Sequence, residues 1–156
     1  MTNPVHEFYG NRLRVRACGL CVVDDKLLLV NHQHLEEGNW WAPPGGGIEF
    51  GESVEQCLMR EFQEETGLKV GLKDFLFATE FISPPLHAIE FFFRVEVAGG
   101  TLKNGSDPEM ENQIIRDVQF ISWSVLKSWN PNSLHGIFKK VPEPSKIMGL
   151  RGYFKL

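Results

Sequence analysis

The stretch from Trp40 to Leu68 constrains the fold more than any other part of the chain. Trp40-Trp41-Ala42-Pro43-Pro44-Gly45-Gly46-Gly47-Ile48 holds two prolines, which lack a backbone donor, and three consecutive glycines. No regular helix can pass through such a segment. A helix is predicted to start after it. Ser53, with Gln56 three residues on, makes a capping box, and Val54, Leu58 and Phe62 recur at four-residue spacing as one apolar stripe. Gly67 is placed to end that helix in the left-handed conformation glycine tolerates.

Strand patterns flank this unit. Leu13, Val15 and Ala17 alternate with Arg12, Arg14 and Arg16, the period of a half-buried strand. Asp24-Asp25 predicts a turn, Leu27 to Val30 a second and more buried strand, and Asn31 to Asn39 a polar loop. Residues 70–82 and 88–97 also read as strands. In the second, Ile89, Phe91, Phe93, Val95 and Val97 share one face and Glu90, Phe92, Arg94 and Glu96 the other. Gly99-Gly100 predicts a turn, residues 104–108 a loop, Val118 to Ile121 a short strand and residues 124–129 a short helix. Strands at both ends around one central helix predict a mixed α/β (α+β) sandwich, not a regular βαβ succession.

No repeat or linker divides the 156 residues, so one domain over 1–156 is expected; its 42% hydrophobic content suffices for a single core. The longest apolar runs fall far short of the roughly 20 residues a membrane span needs. The N-terminal residues show neither a basic start nor an apolar segment, and Cys18, Cys21 and Cys57 are an odd set. Reduced thiols and a cytoplasmic location are expected. A net charge of -4 argues against a nucleic-acid polymer as partner. The excess acidity is local: Glu49 to Glu65 holds six glutamates and one arginine, and the remainder of the chain is slightly basic.

On the predicted helix Glu61, Glu64 and Glu65 stand at i, i+3 and i+4, so three carboxylates crowd an arc of about 100°. Like charges at this spacing repel, and a divalent cation would reverse the sign. With oxygen donors and no Cys or His beside them, Mg²⁺ or Mn²⁺ fits better than Zn²⁺. A solvated acidic face would show the same pattern.

The flanking residues decide between these readings. From Gly46, five residues lead to Glu52, and seven more to Arg60-Glu61-Phe62-Gln63-Glu64-Glu65-Thr66-Gly67-Leu68. This resembles the Nudix box, Gly-x5-Glu-x7-Arg-Glu-U-x-Glu-Glu-x-Gly-U with U apolar, at every fixed position. At average residue usage the chance of such a match is on the order of 10⁻⁷. The resemblance covers about Arg12 to Leu126, with Phe120 where many members carry Trp; residues 131–156, a C-terminal extension, match no usable pattern.

The resemblance implies an α/β/α sandwich with a mixed central sheet, the box forming loop, helix and loop beside it. It implies an enzyme that hydrolyses a nucleoside diphosphate linked to another group, with Mg²⁺ or Mn²⁺ as cofactor. The substrate would be a small nucleotide derivative such as a nucleoside triphosphate, nucleotide sugar, ADP-ribose or dinucleotide. By position, Glu61, Glu64 and Glu65 are the metal ligands, the Gly46 carbonyl is a further candidate ligand, and Glu52 and Arg60 form an orienting ion pair. For the general base, a box glutamate (Glu61 or Glu64) is favoured over a later-loop carboxylate, for which Glu111 and then Glu109 is the positional candidate. The family also implies that pairing into a homodimer is common, and that a proline near Pro84-Pro85 accompanies ADP-ribose hydrolysis. The alternative of another class is a non-catalytic Nudix module that binds a nucleotide metabolite as sensor; its box is usually eroded, and this one is intact. Isomerase chemistry on an allylic diphosphate would need a cysteine and histidine arrangement that is not evident.

Outside the box, Arg14 and Arg16 are candidates for a substrate phosphate, against a solvated strand face for the whole Arg12-Arg14-Arg16 set. Trp40 is the candidate for stacking on a base, whereas Trp41 occupies a packing position. His32, His34 and His87 read as exposed loop histidines. Cys18 and Cys21 would point to opposite faces of a strand, which favours core packing over a redox or zinc pair.

Overall fold

The computed structural model describes residues 3–32, 38–103 and 115–156. The elements are α1 (Pro4–Tyr9), β1 (Arg12–Val23), β2 (Lys26–His32), β3 (Trp41–Ala42), β4 (Gly45–Gly47), α2 (Val54–Thr66), β5 (Leu68–Ser83), β6 (Leu86–Gly100), β7 (Ile115–Ser122), α3 (Trp123–Ser128) and β8 (Gly152–Lys155). Between α3 and β8 lie three 3-10 turns, Pro131–Ser133, Gly136–Lys140 and Pro144–Gly149. No described helix is long and apolar enough to cross a membrane.

The strands form one mixed sheet in the order β3-β2-β1-β6-β5-β8, with β4 added to β1 and β7 to β2. The pairs β1·β6 and β5·β8 are parallel. β1 meets β2 only near their shared hairpin, at Val22↔Leu27 and Val23↔Lys26. Further back the same edge of β1 pairs with β4, from Arg16↔Gly47 to Cys18↔Gly45. The sheet therefore forks between β1 and β2, and the glycine strand fills the fork. The hairpin itself turns on Asp24 and Asp25, both with positive φ (51° and 59°), the paired left-handed geometry that matches strand twist.

Two apolar clusters lie on opposite faces, because neighbouring residues of a strand point opposite ways. On one face Cys57, Leu58 and Phe62 of α2 pack on Ala17, Cys21, Leu28 and Val30. On the other, Leu126 of α3 and Leu134, Ile137, Phe138 and Ile147 of the C-terminal turns pack on Cys18, Leu20, Leu27, Leu29, Phe77 and Phe92. Burying a side chain such as Phe62 contributes roughly 1.5–3 kcal/mol. Helical layers on both faces make this the expected α/β/α sandwich. Residues 131–156, patternless in sequence, supply most of the second layer.

Several local expectations change. Leu13 and Val15 are 55% and 38% exposed, while Arg14 and Arg16 are partly buried on the opposite face. The start of β1 extends beyond the helix α2 that would cover its apolar side. Asn31 and His32 extend β2 instead of opening a loop, with Asn31 and His32 facing β7 partners. Gly99 and Gly100 stay in the ladder opposite Lys69 and Leu68. In β6 the charged Glu90 is buried and shares the inner face with Phe92, because this half of the sheet is covered on the face that the alternation marks as polar. His34, Glu109 and Glu111 lie outside the described residues.

Candidate active site

Helix α2 is fixed at both ends as its sequence requires. Ser53 Oγ accepts the Gln56 N–H, and the Gln56 side chain accepts the Ser53 N–H at 2.9 Å, a cap that contributes about 1 kcal/mol. Gly67 ends it with φ 79°. The apolar stripe Cys57, Leu58 and Phe62, packed on the sheet, sets which face of α2 meets the glycine strand.

That face is held by an arginine that donates to several acceptors at once. Arg60 Nε and Nη2 donate to the two oxygens of Glu52 at 2.7 and 2.9 Å, a bidentate pair. Nη2 also donates to the Gly47 carbonyl at 3.2 Å, and Nη1 to Glu61 at 2.8 Å and Glu64 at 3.3 Å. Hydrogen bonding from Arg60 is the main reason the Glu52 carboxyl titrates below its ordinary range. The expected Glu52–Arg60 pair is thus present and ties the loop before α2 to the helix, while the Gly47 bond ties the same arginine to β4.

Glu65 makes the second tie, accepting the Gly45 N–H at 2.9 Å. Gly46 lies directly against Glu61: a methyl group built on its Cα would stand 2.6 Å from Glu61 Oε2 and nearer still to Oε1. Cys57 Sγ sits 3.6 Å from the Gly46 and Gly47 carbonyls, and burial pushes this thiol up to about 12.

Of the four candidate ligands, Gly46, Glu61 and Glu65 line one cleft of about 1210 Å³, and Glu64 does not. Glu64 shares Arg60 Nη1 with Glu61, at 3.3 against 2.8 Å. Among the described residues, no three His, Cys, Asp or Glu side chains converge on one point: Glu61 and Glu64 share Arg60 Nη1, while Glu65 is turned to the Gly45 N–H. The donor set still suits a hard divalent cation. It consists of carboxylates and a carbonyl, carries a surplus of negative charge, and closes so tightly at Gly46 that no side chain fits between backbone and carboxylate.

The cleft's other walls collect the substrate candidates. Arg14 and Arg16 both line it, as do Trp40, His32 and His87. The Arg14 guanidinium lies 3.8 Å from the centre of the Tyr9 ring of α1. Trp40 stands between His32 and His135, with ring centres 5.9 and 5.7 Å away. Trp41 is 7% exposed and packs against Trp129, the structural role expected of it. His32 and His87 are strand residues, not free loop residues, and His87 pairs with Glu80 at 2.8 Å. The three cysteines are free and buried, Cys18 on one face of the sheet and Cys21 on the other.

One charged group was not expected. Glu90, buried beneath the cleft, bonds to Arg16, to Thr79 Oγ1 at 3.2 Å and to His135 Nε2 at 2.7 Å, with Cys18 Sγ at 3.5 Å. Burial alone would raise this carboxyl, but His135 and Arg16 outweigh it and hold Glu90 well below the usual range. The only sequence signal was an acid flanked by apolar residues, between Ile89 and Phe91. Its partner Arg16 sits opposite it in the parallel β1·β6 ladder, a register that no local pattern reveals.

A family model described as NUDIX domain matches residues 12–139. The chain belongs to the NUDIX domain family. The match runs beyond residue 126, the limit of the resemblance read from sequence, and takes in His135. Among its relatives, an ADP-ribose pyrophosphatase of Methanocaldococcus jannaschii is 37% identical over 91 residues, covering 57% of this chain and 54% of that protein. An NAD-capped RNA hydrolase of Vibrio atlanticus is 34% identical over 92 residues, covering 58% of this chain and 33% of that one. The chain thus spans about half or less of the length of these curated relatives. The crystal structure of a UDP-X diphosphatase matches with a TM-score of 0.66 at 24% identity, covering 93% of this chain and 68% of that chain. This last likeness shows the Nudix fold alone.

Proposed function

We propose that this Nudix domain hydrolyses the pyrophosphate bond of a nucleoside diphosphate linked to another group, with Mg²⁺ or Mn²⁺ as cofactor. The observation that carries this reading is the meeting of Gly46, Glu61 and Glu65 at a cleft that also holds Arg14, Arg16 and Trp40. Acidic residues alone would repel a diphosphate; the same cleft supplies fixed cations and an aromatic face for the rest of a nucleotide. The names of the two relatives support an adenosine diphosphate group, since ADP-ribose and NAD both contain one. A small molecule is favoured over a polymer by the chain's net charge of -4.

Glu61, Glu64, Glu65 and the Gly46 carbonyl are the residues that would hold the cation. When bound, it would neutralise phosphate oxygens and make a coordinated water more acidic. Arg60 and Glu52 orient this helix face, and a box glutamate, Glu61 or Glu64, takes the proton from the attacking water. Arg14 and Arg16 hold phosphate oxygens, and Trp40 stacks on the base.

The test is a panel of ADP-ribose, NAD, nucleotide sugars, nucleoside triphosphates and dinucleoside polyphosphates with Mg²⁺, products separated by chromatography, on wild type, Glu64→Gln and Glu65→Gln. Each variant is expected to keep the wild-type circular dichroism while kcat falls about a hundredfold or more. Full activity in both variants overturns the ligand assignment. Nucleotide binding without turnover in the wild type overturns hydrolysis in favour of a sensor.

A further inference from the structure

The charge cluster beneath the cleft joins distant parts of the chain: Arg16 on β1, Thr79 on β5, Glu90 on β6 and His135 at the start of the Gly136–Lys140 turn. Its hydrogen bonds have a direction. His135 Nδ1 accepts the Ile137 N–H at 3.1 Å, so the ring proton sits on Nε2 and is donated to Glu90 Oε1. Thr79 donates to that same oxygen. Glu90 Oε2 is thereby turned to Arg16 Nη1, while Arg16 Nη2 reaches the Gly45 carbonyl at 3.3 Å. The guanidinium is held at both of its terminal nitrogens, and its Nε is buried without a hydrogen-bond partner.

As packing alone this is a costly design. A buried ion pair rarely stabilises more than apolar residues of the same volume, and an unmatched buried donor costs free energy outright. What the cluster provides is a guanidinium that cannot swing. It is 21% exposed and lines the cleft beside Gly46, Glu61 and Glu65. His135 also lies beside Trp40, at 5.7 Å and an interplanar angle of 42°. One residue of the C-terminal segment therefore abuts both the stacking candidate and the support of the phosphate candidate.

We propose that Glu90 and His135 are positioning residues, which lock the Arg16 guanidinium against the Gly45 carbonyl so that it receives a phosphate of the bound diphosphate. This rests on the reading of the cleft as a diphosphate site, and it makes the segment after Pro131 part of that site. Wild type, Arg16→Lys, His135→Gln and the double variant are titrated calorimetrically with α,β-methylene-ADP in Mg²⁺, a diphosphate that cannot be cleaved at that bridge. Melting temperatures are measured alongside.

Arg16→Lys keeps the charge but loses the two-ended hold, and is expected to raise Kd about tenfold or more. His135→Gln is expected to raise it about threefold or more. The double variant should bind no worse than Arg16→Lys, because both changes remove the same fixed cation. A His135→Gln that melts earlier yet binds like wild type, or a double variant whose losses multiply fully, overturns the proposal. So does a wild type that does not bind the probe. If His135→Gln fails to fold, Thr79→Val removes the other donor to Glu90 Oε1 and must show the same coupling to Arg16. Coupled binding without turnover of any member of the substrate panel would defeat hydrolysis and leave the positioning role standing; turnover with uncoupled binding would defeat the positioning role alone.

Discussion

Replacing Gly46 by alanine separates the chemistry of the site from the stability of the fold. Gly46 does not have a positive φ, so its backbone accepts alanine. The new methyl group would stand 2.6 Å from Glu61 Oε2, with Oε1 and Cδ closer, whereas ordinary contact begins at 3.4 Å. The carboxylate end of a flexible side chain is what must give, and it must retreat by about 1 Å. That movement breaks the 2.8 Å bond from Arg60 Nη1, at about 1–2 kcal/mol, and lowers Tm by about 2–8 °C in a chain of this size. A misplacement of about 1 Å at a ligand carboxylate should lower kcat about a hundredfold. The matched control is Gly45→Ala, whose methyl would meet the Ala17 carbonyl and stand 2.7 Å from Cys18 Cα, backbone atoms that cannot rotate away. It should lower Tm considerably more than Gly46→Ala does. Both variants are assayed for ADP-ribose turnover with Mg²⁺ and for thermal unfolding. A Gly46→Ala enzyme with wild-type kcat would show that the position of Glu61 does not matter, and the reasoning would fail with it.

The neighbouring tryptophans should divide in the same way. Trp40→Ala is expected to weaken nucleotide binding by about 1–3 kcal/mol with little change in Tm, whereas Trp41→Ala, 7% exposed and packed on Trp129, should cost about 3–5 kcal/mol of stability in urea unfolding. Glu52 has a lowered folded-state pKa, mainly through its hydrogen bonds from Arg60. Its contribution is therefore complete above its ordinary pKa of 4.5 and is lost as pH falls below that value. Glu52→Gln should accordingly reduce stability at pH 7 and flatten the loss of wild-type stability on acidification below pH 4.5, followed by urea midpoints; an unchanged acid slope would refute the pairing. Burial raises Cys21 to about 11 and Cys57 to about 12, and Cys18 well above its ordinary value. All three thiols should resist Ellman's reagent at pH 8 until urea unfolds the chain, and prompt reaction of any one would contradict their burial.

The sequence by itself determined the elements whose causes are local. The capping box at Ser53 and Gln56, the glycine at 67, the Asp24-Asp25 turn and the opposite faces of Cys18 and Cys21 depend on residues a few positions apart, and all appear as expected. The box glutamates were legible for the same reason, since three carboxylates on neighbouring turns of a helix must share a side. Tertiary structure decided how they are shared out. Glu61 and Glu65 face the cleft beside Gly46 and Glu64 does not, because β4 enters the fork of the sheet against one side of α2. It also decided that Arg14 and Arg16 face a cleft while Leu13 and Val15 meet solvent, since which side of a strand is covered depends on the layers packed over it. The pairing of Glu90 with Arg16 and His135 lay furthest from reach. It needs the parallel register of two strands and the return of the C-terminal segment across the sheet, and neither leaves a periodic trace in the residues that make it.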